Sequence, residues 1–478
     1  MIKETLRKVT SKCGAGASYI AKKVRSYSGK TCRVIKNGEL NGLIQRNELK
    51  IFAAYKIVLT LLYAFMQYPL FGYSGYCRDF SLIRMLAGWL VYMGTACVIR
   101  NKKEDICTAF VYSIFLLSIA PFIVLYEFDA SYSLWMILIQ IACLLLMHGV
   151  FSIKMKAPIA FHGISYKNGA LRWTATIAIL SYFIYSLWRF GLPGAEAFSF
   201  YDVSIVRSEV ELSTLESVMQ NIACKVVCPL YMIIAMKEKK WAFFGFALLV
   251  QCYTYSVTGF KTYLFIPLVV IGVQMIPKLS VKKTILAGLP TGLTVMGLLH
   301  MLTRSRMLYA LIGDRMIFMP ARIKYSYFDY FSQHEYVRFS QNTLSKLLGV
   351  QSNYDIPVPY LIGDKYFSKP EMWTNAGFMA DAYANLGIAG ILLMAAVLAA
   401  VLMLLRYGLR SAGKDLQKAI QSLFVIFFVA LNDGPVISEL FSGGMMAAVL
   451  LILAIDFSEK PAHGGLPTCN NEIRKTES

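Results

Sequence analysis

The stretch Ile51 to Phe71, IFAAYKIVLTLLYAFMQYPLF, sets the class of this chain. A helix crosses the hydrocarbon core of a bilayer with about 20 mostly apolar residues, and this run has that length. Fifty residues rich in Lys and Arg precede it, too long a leader for a cleavable signal peptide, so it reads as a retained first span. Similar runs follow at Leu82 to Ile99, Ile106 to Leu125, Ser131 to Ile153, Leu171 to Phe190, Ser217 to Met236, Trp241 to Val257 and Thr262 to Ile276. Four more, at Thr284 to Leu302, Ala376 to Leu405, Ala419 to Leu431 and Val436 to Ile455, bring the expected count to twelve. The expected fold class is an all-α polytopic integral membrane protein.

Composition agrees. Of the 478 residues 57% are hydrophobic and 16% charged, and the mean hydropathy is +0.53, whereas soluble domains carry about a quarter charged residues. The net charge of +20 sits in the N-terminal arm and in short connections, where insertion topology demands it. It therefore gives no ground for a nucleic-acid partner. Cys224 and Cys228 share a helix face but have no second ligand pair or His nearby, so packing is their expected role and no metal is assigned.

The short connections divide by charge. Arg100, Lys102 and Lys103; Lys154, Lys156 and Lys167; Lys237, Lys239 and Lys240; Lys278, Lys282 and Lys283; and Arg406, Arg410, Lys414 and Lys418 fall on alternate connections. The intervening ones are nearly free of basic residues. The positive-inside rule then places both termini in the cytoplasm. The expected organisation is a basic arm over 1–50, spans over 51–302 with an outside connection at 191–216, a large outside loop over 303–375, three spans over 376–456 and a cytoplasmic tail over 457–478.

The large loop concentrates the candidate chemistry. TRSRMLYALIGDRMIFMPARIK sets Arg304, Arg306, Arg315, Arg322 and Lys324 beside one carboxylate, Asp314. Arginine suits phosphate because its planar fork donates two parallel hydrogen bonds and stays charged. The plain alternative is snorkelling to lipid phosphates or pairing with Asp314, Asp329 and Glu335. The next stretch, IKYSYFDYFSQHEYVRF, surrounds Asp329 with aromatic residues including Tyr325, suited to sugar stacking or to an interfacial belt. Arg207, in the outside connection YDVSIVRSEVE, and Lys261, at the outer mouth of a span, approach the same face. No P-loop or dinucleotide loop is present, and no cofactor is assigned.

These residues resemble the Wzy-type O-antigen and capsule repeat-unit polymerases, relatives of the O-antigen ligases. Besides the architecture, three patterns carry the resemblance: GDRMIFMPARIKYSYFDYF, TNAGFMADAYANLGIAGILL with Gly387 and Gly390, and RFSQNTLSKLLG with ten residues between Arg338 and Gly349. Ligases typically carry a His near the position of Asn375 or Ala376, and none is present here. The resemblance implies a bacterial inner-membrane glycosyltransferase moving a glycan from undecaprenyl diphosphate onto a lipid-linked oligosaccharide repeat unit at the periplasmic face. A flippase and a chain-length regulator are then expected partners beside membrane lipid. On this reading Arg207, Lys261, Arg304, Arg315, Arg322, Tyr325 and Asn375 bind substrate, and Asp329 or Asp381 is the base. A ligase, a secondary transporter and a lipid-linked oligosaccharide flippase are the competing readings.

Overall fold

The computed structural model describes residues 39–153, 163–193, 210–275, 279–342, 345 and 349–457. All twelve apolar runs form helices, and among the described residues nine helices are long and apolar enough to cross a membrane. The labels used below are α1 Glu48–Ser74, α2 Leu82–Ile99, α3 Ile106–Phe128, α4 Leu134–Ser152, α5 Gly169–Phe190, α6 Thr214–Lys237, α7 Trp241–Thr258, α8 Lys261–Met275 and α9 Val281–Thr303. They continue with α10 (306–331), α11 Val358–Phe367, α12 Gly377–Ser411, α13 Lys414–Asp433, α14 Val436–Leu440 and α15 Met445–Ala454. The run expected as a single last span is thus two helices, α14 and α15, parted at Gly443 and Gly444, whose backbone turns into the left-handed region at Gly444.

Every residue of α3 is buried. A helix apolar on all sides needs protein around its whole circumference, so α3 forms the axis on which α1, α2, α4, α12, α13 and α10 pack. The basic connections gather at one end of this bundle. Glu48 there accepts both Lys282 at 3.1 Å and Arg100 at 3.4 Å, Lys283 meets Glu104, and Arg406 lies 3.5 Å from Asp105.

Among the described residues, four helices contain a π-helical stretch, and each stretch ends two residues before a proline: Tyr63–Gln67 before Pro69, Phe115–Ile119 before Pro121, Ile222–Val227 before Pro229, and Ala310–Phe318 before Pro320. Proline has no N–H for the carbonyl four residues earlier. A wider turn lets that carbonyl reach the N–H after the proline, so the helix continues with a bulge. The four stretches contain Gln67, Ser118, Lys225, Asp314 and Arg315.

The connection over 303–375 differs from the expected open loop. Residues 306–331 are one continuous helix, α10, which packs on α3 and α12 and buries Ile323, Lys324, Tyr327, Phe328 and Phe331. The aromatic stretch is therefore half core; Phe328 meets Phe122 of α3 and Tyr383 of α12. Lys324 Nζ donates to the hydroxyl and, at 3.3 Å, to the carbonyl of Ser118, in the bulged part of α3.

Burial without a carboxylate pushes the Lys324 ammonium down to about 7, while an unfolded lysine stays charged to about pH 10.4. Between these values the unfolded chain holds more protons, so this residue makes stability rise with pH from about 7 to about 10, by at most about 1.4 kcal/mol per pH unit. Lys324→Met is expected to flatten that slope and to raise the melting midpoint at pH 6. An unchanged slope would contradict the assignment.

Helix α12 bends at Leu386 and Gly387, where Gly387 has φ 61°. The carbonyls freed there are taken up by the incoming chain: Val337 N–H donates to Ala384 O at 2.9 Å, and Arg338 N–H donates to Asn385 O at 3.0 Å. Gly390 lets the Ala382 carbonyl approach its backbone, so both glycines of the quoted pattern serve the kink.

Candidate functional site

At the end of the bundle opposite the basic connections, α10 carries two groups of charged residues. The first is centred on Arg322. Its guanidinium lies over the rings of Tyr76, 5.3 Å from the centroid, and Phe367, 4.5 Å from the centroid. Gly75, at φ 90°, leaves the space that Nη2 fills, since a Cβ there would collide with it. Nη1 is buried and has no hydrogen-bond partner among the described residues. A buried donor of this kind costs about 1–3 kcal/mol unless something accepts from it.

The nearby carboxylate, Asp314, is already engaged. Gln67 Nε2 donates to its Oδ1 at 2.6 Å and the Tyr76 hydroxyl donates to the same atom at 3.0 Å. Burial raises the Asp314 carboxyl above its ordinary range, while these two donors and then Arg315 and Arg322 pull it back. Tyr309 completes the network by donating to Gln67 Oε1 at 3.0 Å. Two π-helical stretches thus meet here, one supplying Gln67 and the other Asp314.

Arg322, Tyr325 and Asp329 occupy positions i, i+3 and i+7 of α10, one helix face. The two ends of that set are about 10 Å apart along the axis, at 1.5 Å per residue. Helix α11 covers the face: Phe367 stacks on Arg322, and the Tyr366 hydroxyl donates to Asp329 Oδ2 at 2.6 Å. The Tyr325 ring stacks on Tyr132 with centroids 4.1 Å apart. This face of α10, with α11 packed across it, therefore has a cation at one end and a carboxylate at the other.

The second group surrounds Asp433 at the end of α13. The Asn375 side chain lies beside Asp433, and Arg315 and Glu439 are within electrostatic reach of it. Trp373 Nε1 holds the other side of Asn375, donating to Oδ1 at 2.8 Å. Gly377, at φ 68°, allows the start of α12 to lie against the Asn432 carbonyl, and this contact brings Asn375 to Asp433. Glu439 is held above its ordinary range by burial and drawn back by Lys225, 3.9 Å away.

The remaining sequence candidates lie elsewhere. Arg304 is an exposed left-handed cap of α9, Lys261 begins α8, and Asp381 sits one turn before Asn385, whose Nδ2 donates to the Asp381 carbonyl at 2.8 Å. Arg207 lies outside the described residues. Sequence reasoning passed over Lys225 and Lys56, although each is an ionisable residue inside an apolar run, the usual mark of a functional or paired group at membrane depth. No cluster of three or more metal-ligating side chains occurs among the described residues.

Gly75→Ala tests the cradle without removing charge. The methyl group would push Arg322 aside in a backbone region that disfavours alanine, so function at this site is expected to fall with protein yield retained. An Arg322-dependent activity equal to wild type in Gly75→Ala would count against the cradle.

Long apolar helices and a fully buried axial helix, with almost no sheet among the described residues, define a helical, multi-pass membrane protein. No family model matches the chain, nor does any curated protein or solved structure.

Proposed function

We propose that the chain is a membrane glycosyltransferase of the repeat-unit polymerase type, acting on undecaprenyl-diphosphate-linked glycans at the periplasmic face of a bacterial inner membrane. Both termini are then cytoplasmic, with twelve crossings. The observation that carries this reading is Arg322: a half-buried guanidinium between two aromatic rings, with Nη1 buried and unpartnered. A diphosphate oxygen is a fitting acceptor for it.

In the reaction, the bond from the donor sugar's anomeric carbon to the diphosphate oxygen breaks, and that carbon bonds the acceptor hydroxyl. Negative charge develops on the departing diphosphate, where a fixed cation in a partly dry site stabilises it. Arg322 supplies that cation and Arg315 supports it. The hydroxyl proton passes to a carboxylate, for which Asp329, on the same face of α10, is the candidate. Tyr366 fixes Asp329 Oδ2 and leaves Oδ1 for the proton. Asp381 is the alternative base, and Tyr325 and Asn375 are assigned to sugar contact.

One observation favours a transport reading, with a lipid-linked oligosaccharide as cargo. Lys56 and Glu127 form a fully buried ion pair at 2.7 Å inside the spans, and Glu127 Oε1 has no hydrogen-bond partner among the described residues. Such groups commonly mark coupling paths in transporters. Incubating purified protein with one lipid-linked repeat unit separates the readings. A ladder of products supports the polymerase, a single transfer to another lipid indicates a ligase, and no covalent change sinks the transferase reading.

A further inference from the structure

We propose that the cleft between α5, α6 and α15, at the basic end of the bundle, binds one anionic phospholipid, with an acyl chain between the helices and the phosphate at Arg172 and Lys240. This site is independent of the glycan reading and lies at the opposite end of the molecule from Arg322. The cleft is partly open and has a free volume of about 50 Å³, room for a segment of one acyl chain lying along it. Leu171, Ala175, Val227, Leu230, Ile234 and Leu451 give it apolar walls, a match for a hydrocarbon chain rather than for a polar solute.

Four observations at its mouth specify the headgroup. Arg172 lines both this cleft and the smaller one beside it, and its Nε is buried with no hydrogen-bond partner among the described residues. Lys240 lines the neighbouring cleft, and Lys167 stands beside Tyr166, another lining residue. Glu238 lies 3.1 Å from Arg172 and 2.9 Å from Lys240, and Asp456 adjoins Tyr166, so these three cations face two carboxylates and the mouth keeps a positive excess. The helices α5 and α7 both begin here, at Gly169 and Trp241, and α7 has no side-chain cap on its first N–H groups. The α5 start is capped by Asn168, and the uncapped start of α7 favours an anion at this point.

The depth also fits a lipid. Trp173 and Trp241 are exposed beside the mouth, and exposed tryptophans collect at the level of lipid headgroups. A chain entering below them meets Leu230 and Ile234 while its phosphate stays level with Arg172. Basic pockets between spans are a general solution for anionic headgroups.

Native mass spectrometry of the full-length protein, exchanged into dioleoylphosphatidylglycerol or dioleoylphosphatidylcholine at equal concentration, tests the proposal. Wild type is expected to retain one phosphatidylglycerol on the order of tenfold better than phosphatidylcholine. Arg172→Gln with Lys240→Gln is expected to remove that preference. Ala175→Phe, which fills the cleft and leaves all charges in place, is expected to remove retention of the lipid itself. Each variant is compared by its melting curve, and a less bulky Ala175→Leu replaces Ala175→Phe if the latter fails to fold. Equal retention of both lipids by wild type would overturn the proposal, as would undiminished phosphatidylglycerol retention when the cleft is filled.

Discussion

Cells making Arg322→Ala at the wild-type level are expected to lose polymer almost completely, with turnover reduced by about 10²–10³-fold, the usual effect of deleting one preorganised donor to a developing anion. The expectation rests on local geometry. Among the described residues, Arg322 is in ion-pair contact with none of the nearby carboxylates: Asp314 is held by Gln67 and Tyr76, Asp129 accepts from Ser131, and Asp329 is two turns away and held by Tyr366. Arg322→Lys keeps the charge but loses the planar fork and its stacking on Phe367, so partial activity is expected. Arg315→Ala should weaken the reaction less, since Arg315 is exposed and lies between Asp314 and Asp433. Polymer of unchanged length and yield in both Arg315→Ala and Arg322→Ala would end the cationic-site account.

The second large effect concerns stability. Glu127→Ala strands the Lys56 ammonium at full burial, and breaking a buried pair in this way typically costs about 3–5 kcal/mol. The site cannot relax toward water, because Lys56 and Glu127 are both fully buried and Gly88 is so close to Glu127 that a Cβ there would collide with its Oε1. Thermal melts in detergent should show Glu127→Ala well below wild type. The double variant Lys56→Met with Glu127→Leu should recover most of the loss, since an apolar pair of similar volume removes the desolvation cost of both ions. If the double variant melts no higher than Glu127→Ala, the pair is not the reason for the loss.

The apolar spans were readable because bilayer-length hydrophobic runs leave few other structures open. Leu82–Ile99 has the same bounds in the sequence reading and in the structure. Helix α10 was not readable in that way. Its Arg315, Arg322, Lys324 and Asp314 lower its hydropathy to that of a loop, and only the fold shows Lys324 buried against Ser118. The final run failed for the opposite reason: Val436 to Ile455 is apolar apart from Ser438, Glu439 and Ser442, yet Gly443 and Gly444 break it. Within the site, Arg322, Tyr325 and Asp329 were nameable from residue type, and their common face follows from helical spacing. The partners Gln67, Tyr76 and Tyr366 come from distant parts of the chain and needed the packing. A local signal for two of the site's stretches was available in Pro69 and Pro320, each following a bulged turn by two residues.

The central claim is that Arg322 holds a lipid diphosphate, and direct binding tests it without reliance on turnover. Purified wild type and Arg322→Ala, matched for melting behaviour, would be titrated with undecaprenyl diphosphate in detergent. The account predicts saturable binding by wild type and a loss on the order of tenfold to a hundredfold in Arg322→Ala, the range for removing a charge-assisted hydrogen bond. Equal affinity for the two proteins would contradict it.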